Sequence, residues 1–145
     1  MILFTNALIY DGSGGDPFKG DVLIENDKII DVSGHIESKE GWKVVDLYGK
    51  SLSSGFIDAH SHNDWFAIKQ NPVKYFEPFI RQGITSFITG NCGLSAVGFS
   101  KESEYIDKVG AGLFYFKDTT GIYPSVGEYF NAIENCTPCN IALLA

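Results

Sequence analysis

The sequence predicts an α/β protein in two stretches: strands and turns over residues 1–54, then alternating strands and helices over 55–145. Three observations carry that reading. The first stretch holds short apolar runs closed by Gly, Asn and Asp, with no helical period. Beyond Gly55, β-branched runs alternate with segments that suit helical crossovers, the pattern of a parallel sheet. The chain has 145 residues, 44% hydrophobic and 14% aromatic. A chain of that size buries roughly 68–70% of the surface its unfolded form exposes, so it can build a core without staples.

Ile2 to Tyr10 is an apolar run stopped by Asp11-Gly12-Ser13-Gly14-Gly15, small residues that suit a reversal. Asp21 to Glu25 and Lys28 to Val32 flank Asn26-Asp27 at hairpin spacing, and a further strand runs from Lys43 to Leu47 and ends near Gly49. Together these read as a small antiparallel sheet. After it, Gly55-Phe56-Ile57-Asp58-Ala59-His60 reads as a short buried strand, Ile84 to Thr89 as a second stopped by Gly90, and Asn140 to Ala145 as a third. Asn71-Pro72 supplies a cap and a first helical position and Gly83 a stop, with Pro78 expected to break that helix into two short pieces. Val126, Tyr129, Phe130 and Ile133 recur at helical spacing within Ser125 to Asn135, which makes a cleaner amphipathic helix. The run Leu113-Phe114-Tyr115-Phe116 reads as core or edge packing, with a substrate-side wall as the alternative.

Ten Lys and a single Arg81 stand against eighteen carboxylates, for a net charge of −7. That balance argues against nucleic-acid partners, whose non-specific binding is driven by cations. The opening Met1-Ile-Leu-Phe-Thr-Asn has no positive n-region, and no window approaches the length of a membrane span, so the chain reads as soluble and cytoplasmic with no membrane partner. Three cysteines are an odd count, and free thiols or metal ligands suit them better than a disulfide framework.

The densest chemistry lies in Asp58-Ala-His-Ser-His-Asn-Asp64. If Phe56 to His62 is extended, the period of two puts Asp58, His60 and His62 on one face, so both imidazoles reach one volume. Two such imidazoles suit zinc or another first-row divalent ion, and a catalytic site keeps one position open for water. The same spacing also suits two surface histidines in a polar loop. Cys92 stands between Gly90 and Gly93 where the next strand stops, so it faces the same end of the sheet and makes a third soft ligand possible; a small buried hydrophobe is the alternative. Cys136-Thr-Pro-Cys139 follows a helix instead of opening one, which does not suit a redox pair, and His35 sits in a turn; neither receives a role.

Taken together these residues resemble the amidohydrolase superfamily and, within it, the N-acyl-D-amino-acid deacylases, or D-aminoacylases. Asn6-Ala-Leu-Ile-Tyr-Asp-Gly-Ser-Gly and Gly20-Asp-Val-Leu-Ile-Glu-Asn-Asp-Lys-Ile-Ile resemble the family's opening β-sandwich strands. Gly55-Phe-Ile-Asp-Ala-His-Ser-His resembles its first barrel strand, and Gln82-Gly-Ile-Thr-Ser with Gly90-Asn-Cys-Gly-Leu-Ser points to the D-aminoacylase branch. The resemblance implies that residues 1–54 are strands of a small β-sandwich and that 55–145 are the first three strands and intervening helices of an incomplete TIM-type (β/α)8 barrel. It implies that His60, His62 and Cys92 bind Zn2+, one or two ions per complete enzyme, and that Asp58 orients ligands by hydrogen bonding. It also implies a small-molecule substrate, an N-acyl-D-amino acid whose amide is hydrolysed.

The family's catalytic Asp and its remaining histidines are expected beyond Ala145, so none of the catalytic residues is assigned within this chain. The 90 residues after Gly55 are about a third of the roughly 250 typical of such a barrel. The chain alone is therefore expected to be inactive. A dihydropyrimidinase or dihydroorotase type stands as the alternative within the superfamily. A non-catalytic metal-binding or interaction fragment stands outside it, with homo-oligomer formation or edge-strand pairing favoured by an open sheet.

Overall fold

In the computed structural model, residues 1–100, 102–105 and 123–144 are described. The aromatic run Leu113 to Phe116 lies outside them. The chain divides into two compact units, Met1–Ser54 and Gly55–Ala145.

The first unit is a five-stranded sheet of β1 (Ile2–Tyr10), β2 (Phe18–Glu25), β3 (Lys28–Ser33), β4 (Lys43–Asp46) and β5 (Ser51–Ser53). β1 to β3 form an antiparallel meander, but β4 and β5 both pair with the free side of β1 in parallel, so the sheet is mixed and not antiparallel throughout. The reason lies in residues 34–42, which recross the sheet. Ile36 packs with Leu3 and Leu23 on one face, with Trp42 against the same cluster, and the crossing returns the chain to the start of β1. The other face holds Ala7, Ile9 and Val22, with Phe4, Ile24, Leu47 and Leu52 against them.

A bulge reconciles the two faces. Leu3 and Phe4 alternate as the strand period requires, and the register shift between Phe4 and Ala7 moves Ala7 and Ile9 onto the face of Phe4. Asn6 takes a left-handed φ of 55° there. Its N–H donates to Oδ1 of buried Asp21, whose Oδ2 accepts from Ile36 N and lies 3.3 Å from His35 Nδ1. His35 therefore sits on a structural clamp.

In the second unit β6 (Phe56–Asp58), β7 (Ile84–Thr89) and β8 (Asn140–Leu143) form a parallel sheet in that order. α1 (Asp64–Ala67) and α2 (Val73–Ile80) lie between β6 and β7, and α3 (Val126–Ile133) precedes β8. One sheet face is packed: Phe87 meets Phe76 and Phe79 of α2 edge-on at ring distances of 5.5 and 5.3 Å, within a cluster that includes Trp65, Tyr129 and Ile133. On the other face Ile57, Ser86, Ile88 and Ala142 line an open groove.

Three expectations are corrected here. β6 stops at Asp58 and does not run to His62, because the chain bends at Ala59 and His60. β6 is also exposed rather than buried, with Phe56 62% and Ile57 65% accessible, since among the described strands it has only β7 as a neighbour. Pro78 lies inside a continuous α2 and does not split it. Proline removes one ladder bond, but Phe76 and Phe79 on either side of it are both seated on Phe87, and that packing carries the helix through.

Gly83 ends the α2 segment at φ 83°, as the stop signal predicts. Gly90 ends β7 at φ 79°, where a Cβ would also come within 2.8 Å of the Leu144 carbonyl. No helix among the described residues is long and apolar enough to cross a membrane.

Candidate metal centre

β6 and β7 run parallel side by side, so the segments that leave their carboxyl ends emerge together. The first carries His60 and His62, and the second carries Cys92 in a short 3-10 turn, Asn91–Gly93. The ligand atoms of His60, His62 and Cys92 all lie within 4.8 Å of one another. His60 Nε2 and Cys92 Sγ are 3.3 Å apart, and the two imidazoles meet edge-on with centroids 5.9 Å apart. His60 and Cys92 are exposed and His62 is half-buried, so the cluster faces solvent.

Hydrogen bonds stitch the two segments together. Ser61 N donates to Ile88 O at 3.0 Å, and the Asn91 side-chain amide donates to Ile88 O at 2.9 Å and Ser61 O at 3.3 Å. His62 Nδ1 lies 3.3 Å from the Leu94 carbonyl. A carbonyl can only accept, so Nδ1 is the donor in this contact, and in the neutral ring Nε2 is then the nitrogen that keeps the lone pair. Asp58 Oδ1 accepts the backbone N–H of His60 at 3.2 Å, which holds the turn that presents that imidazole.

Asp64, wholly buried at the start of α1, accepts from Ser95 Oγ at 2.9 Å and from Ala96 N at 2.7 Å, both on Oδ2. Burial pushes its carboxyl above the usual carboxylate range, and those two hydrogen bonds pull against the shift. The Tyr129 hydroxyl donates to the Asp64 carbonyl at 3.1 Å, and burial raises that phenol strongly.

The donor set fits a zinc-type ion. Tetrahedral Zn–N and Zn–S bonds of about 2.0 and 2.3 Å place neighbouring donors roughly 3.5 Å apart, close to the observed His60–Cys92 separation. Cys92 holds its place at φ 59°, a left-handed conformation that costs a side-chain-bearing residue roughly 1–2 kcal/mol. Ser61 Oγ, Asn63 Nδ2, Asp64 Oδ1 and Trp65 Nε1 are buried without a hydrogen-bond partner among the described residues. Strain and unsatisfied polar atoms of this kind gather at functional sites.

The other cysteines stand apart from this cluster. Cys136 is exposed after α3, and Cys139 is buried beside Ile84 O, where desolvation raises its thiol. Asp64 and Asn91 stand inside motifs named from the sequence but received no role there, and the Leu94 carbonyl received none either. The signal for Asp64 was a carboxylate beside Trp65 at a helix start, but its partners lie 31 and 32 residues away.

No family model matches the chain. Among curated proteins it is 33% identical over 99 residues to an N-acyl-D-aspartate deacylase of Alcaligenes xylosoxydans, covering 68% of this chain and 19% of that protein. It is 28% identical over 144 residues to an N-acyl-D-glutamate deacylase of the same organism, covering 99% of this chain and 28% of that protein. A solved structure of D-aminoacylase, studied for the role of its binuclear metal centre, matches 99% of this chain and 29% of its own length, at a TM-score of 0.76 and 25% identity. The chain thus spans 19–29% of the length of these three proteins. The similarity to the D-glutamate deacylase and to the D-aminoacylase structure runs over both units, including the segments that carry His60, His62 and Cys92, and the chain belongs to the D-aminoacylase family of amidohydrolases, matching the N-terminal portion of its members.

Proposed function

We propose that this chain is the N-terminal part of a zinc-dependent amide hydrolase acting on N-acyl-D-amino acids, with His60, His62 and Cys92 as metal ligands. One observation carries the reading: three zinc-type donors converge within 4.8 Å at the carboxyl ends of adjacent parallel strands. In barrel enzymes that end of the sheet bears the active site. On this reading Met1–Ser54 supplies strands of a small β-sandwich, and the second unit supplies the first β/α units of a TIM-type barrel, its open face turned to the barrel interior.

Zinc held there supplies Lewis-acid chemistry for hydrolysis, polarising a carbonyl and activating water. The chain's own residues prepare the place. Leu94 fixes the tautomer and plane of His62, Asp58 fixes the turn beneath His60, and the left-handed turn between Gly90 and Gly93 delivers Cys92. Three donors leave a position for further ligands and substrate, and the proton-shuttling Asp is assigned to the part of the complete enzyme beyond these residues. The 145-residue chain alone is expected to hydrolyse nothing.

The test is an assay of a full-length protein carrying this segment against N-acetyl-D-amino acids, their L-enantiomers and dihydrouracil. Release of free D-amino acids, lost on chelation and in His60→Ala, is the expected result. Hydrolysis of dihydrouracil without release of D-amino acids would replace this reading with a cyclic-amidase one.

A further inference from the structure

We propose that Asp64 is a positioning residue for this metal centre, clamping the segment that carries Cys92 to the segment that carries His62. The inference rests on the metal-site reading above. Donors delivered by two separate loops bind one ion only if the loops hold a common register; Ser61 and Asn91 tie the segments on the strand side of the donors, and beyond the donors a second tie is needed. The Asp64 carboxylate supplies it. It sits two residues after His62 and is fully buried, and its Oδ2 accepts from both Ser95 Oγ and Ala96 N, three and four residues after Cys92. Between the clamp and the thiol lies Leu94, whose carbonyl meets His62 Nδ1. Fixing Ser95 and Ala96 therefore fixes the carbonyl that sets the His62 tautomer and limits the travel of Cys92. The Tyr129 hydroxyl on the Asp64 carbonyl anchors the clamp to α3.

Both donors converge on one oxygen, so what the site needs is an acceptor and not a charge. An asparagine can present its single oxygen in the same place. That separates positioning from an electrostatic role.

The experiment titrates the metal-free 145-residue chain with Co2+, reading affinity and the thiolate-to-cobalt charge-transfer band, with circular dichroism as the check on folding. Asp64→Ala is expected to bind Co2+ about 10–100-fold more weakly, in line with the loss of partners that orient ligands. Its band should also be weakened at saturating metal, a change that mere loss of stability would not produce in the folded fraction. Asp64→Asn should stay within about threefold of the parent, and Ser95→Ala should fall between the two.

Parental affinity and a parental band in folded Asp64→Ala and Ser95→Ala would overturn the proposal, as would a tenfold loss in folded Asp64→Asn. If Asp64→Ala does not fold, Ser95→Ala and Asp64→Asn decide. Absence of any charge-transfer band in the parent chain would instead defeat the metal-site reading itself, and the clamp with it.

Discussion

Cys92 shows how one residue carries two opposed demands. Its thiol is the third donor of the cluster, while its backbone sits at φ 59°, a region that side-chain-bearing residues avoid. Its side chain is exposed, so little packing is lost with it. Cys92→Gly removes roughly 1–2 kcal/mol of left-handed strain and adds about 0.5–1 kcal/mol of chain entropy to the unfolded state. The relief outweighs the cost. In chelator the variant should melt no lower than the parent, and the rise in melting temperature expected of the parent on adding zinc should be absent from the variant. A lower melting temperature without metal would mean that Cys92 is there for packing. At this scale the convergence of His60, His62 and Cys92 was legible, because the two histidines are two residues apart and Cys92 stands among glycines at a strand end. The partners were not. Asp64 acts on Ser95 and Ala96, and Asp21 on Asn6 and Ile36, across separations of 15 to 32 residues that no local pattern encodes.

Elements with strong local chemistry were legible for the same reason. β7 was readable from its β-branched run and glycine stop. α3 was readable from its apolar spacing, and it begins with Ser125 and Glu128 in a reciprocal capping box. The parallel pairing of β4 and β5 with β1 was not, because it depends on where residues 34–42 travel, and that is decided by Ile36 and Trp42 packing on Leu3 and Leu23. Nor was the continuity of α2 through Pro78, where tertiary packing overrides local preference. α1 is too short to stand alone, at four residues, and depends on its neighbours. Tyr129, fully buried, reaches from α3 to donate to the Asp64 carbonyl. Tyr129→Phe keeps the ring packing and strands that buried carbonyl, so urea unfolding should show a loss of about 1–2 kcal/mol. Unchanged stability would mean that the carbonyl finds another donor.

For the whole molecule, the division at Ser54 and Gly55 makes the reach of metal binding a measurable quantity. All three donors, and every hydrogen bond that stitches their two segments, belong to the second unit. An ion that joins the segments stabilises the state in which they are joined, by about 2.7 kcal/mol at a free concentration a hundred times Kd. Hydrogen exchange reads where that energy is felt, since each amide exchanges through the opening that exposes it. Zinc should therefore slow exchange at the amides that bridge or border the site, Ser61, Leu94 and Ala96, each of which donates to a fixed acceptor in the stitched region. Leu3 and Leu23, on a core cluster with no donor in it, should exchange at the same rate with and without metal. Equal slowing in both units would show that the two open as one and that the metal's stabilisation is global. Slowing at Ser61 and Ala96 that Asp64→Ala abolishes, while His60→Ala abolishes binding altogether, would trace the effect through the clamp rather than through the ion alone.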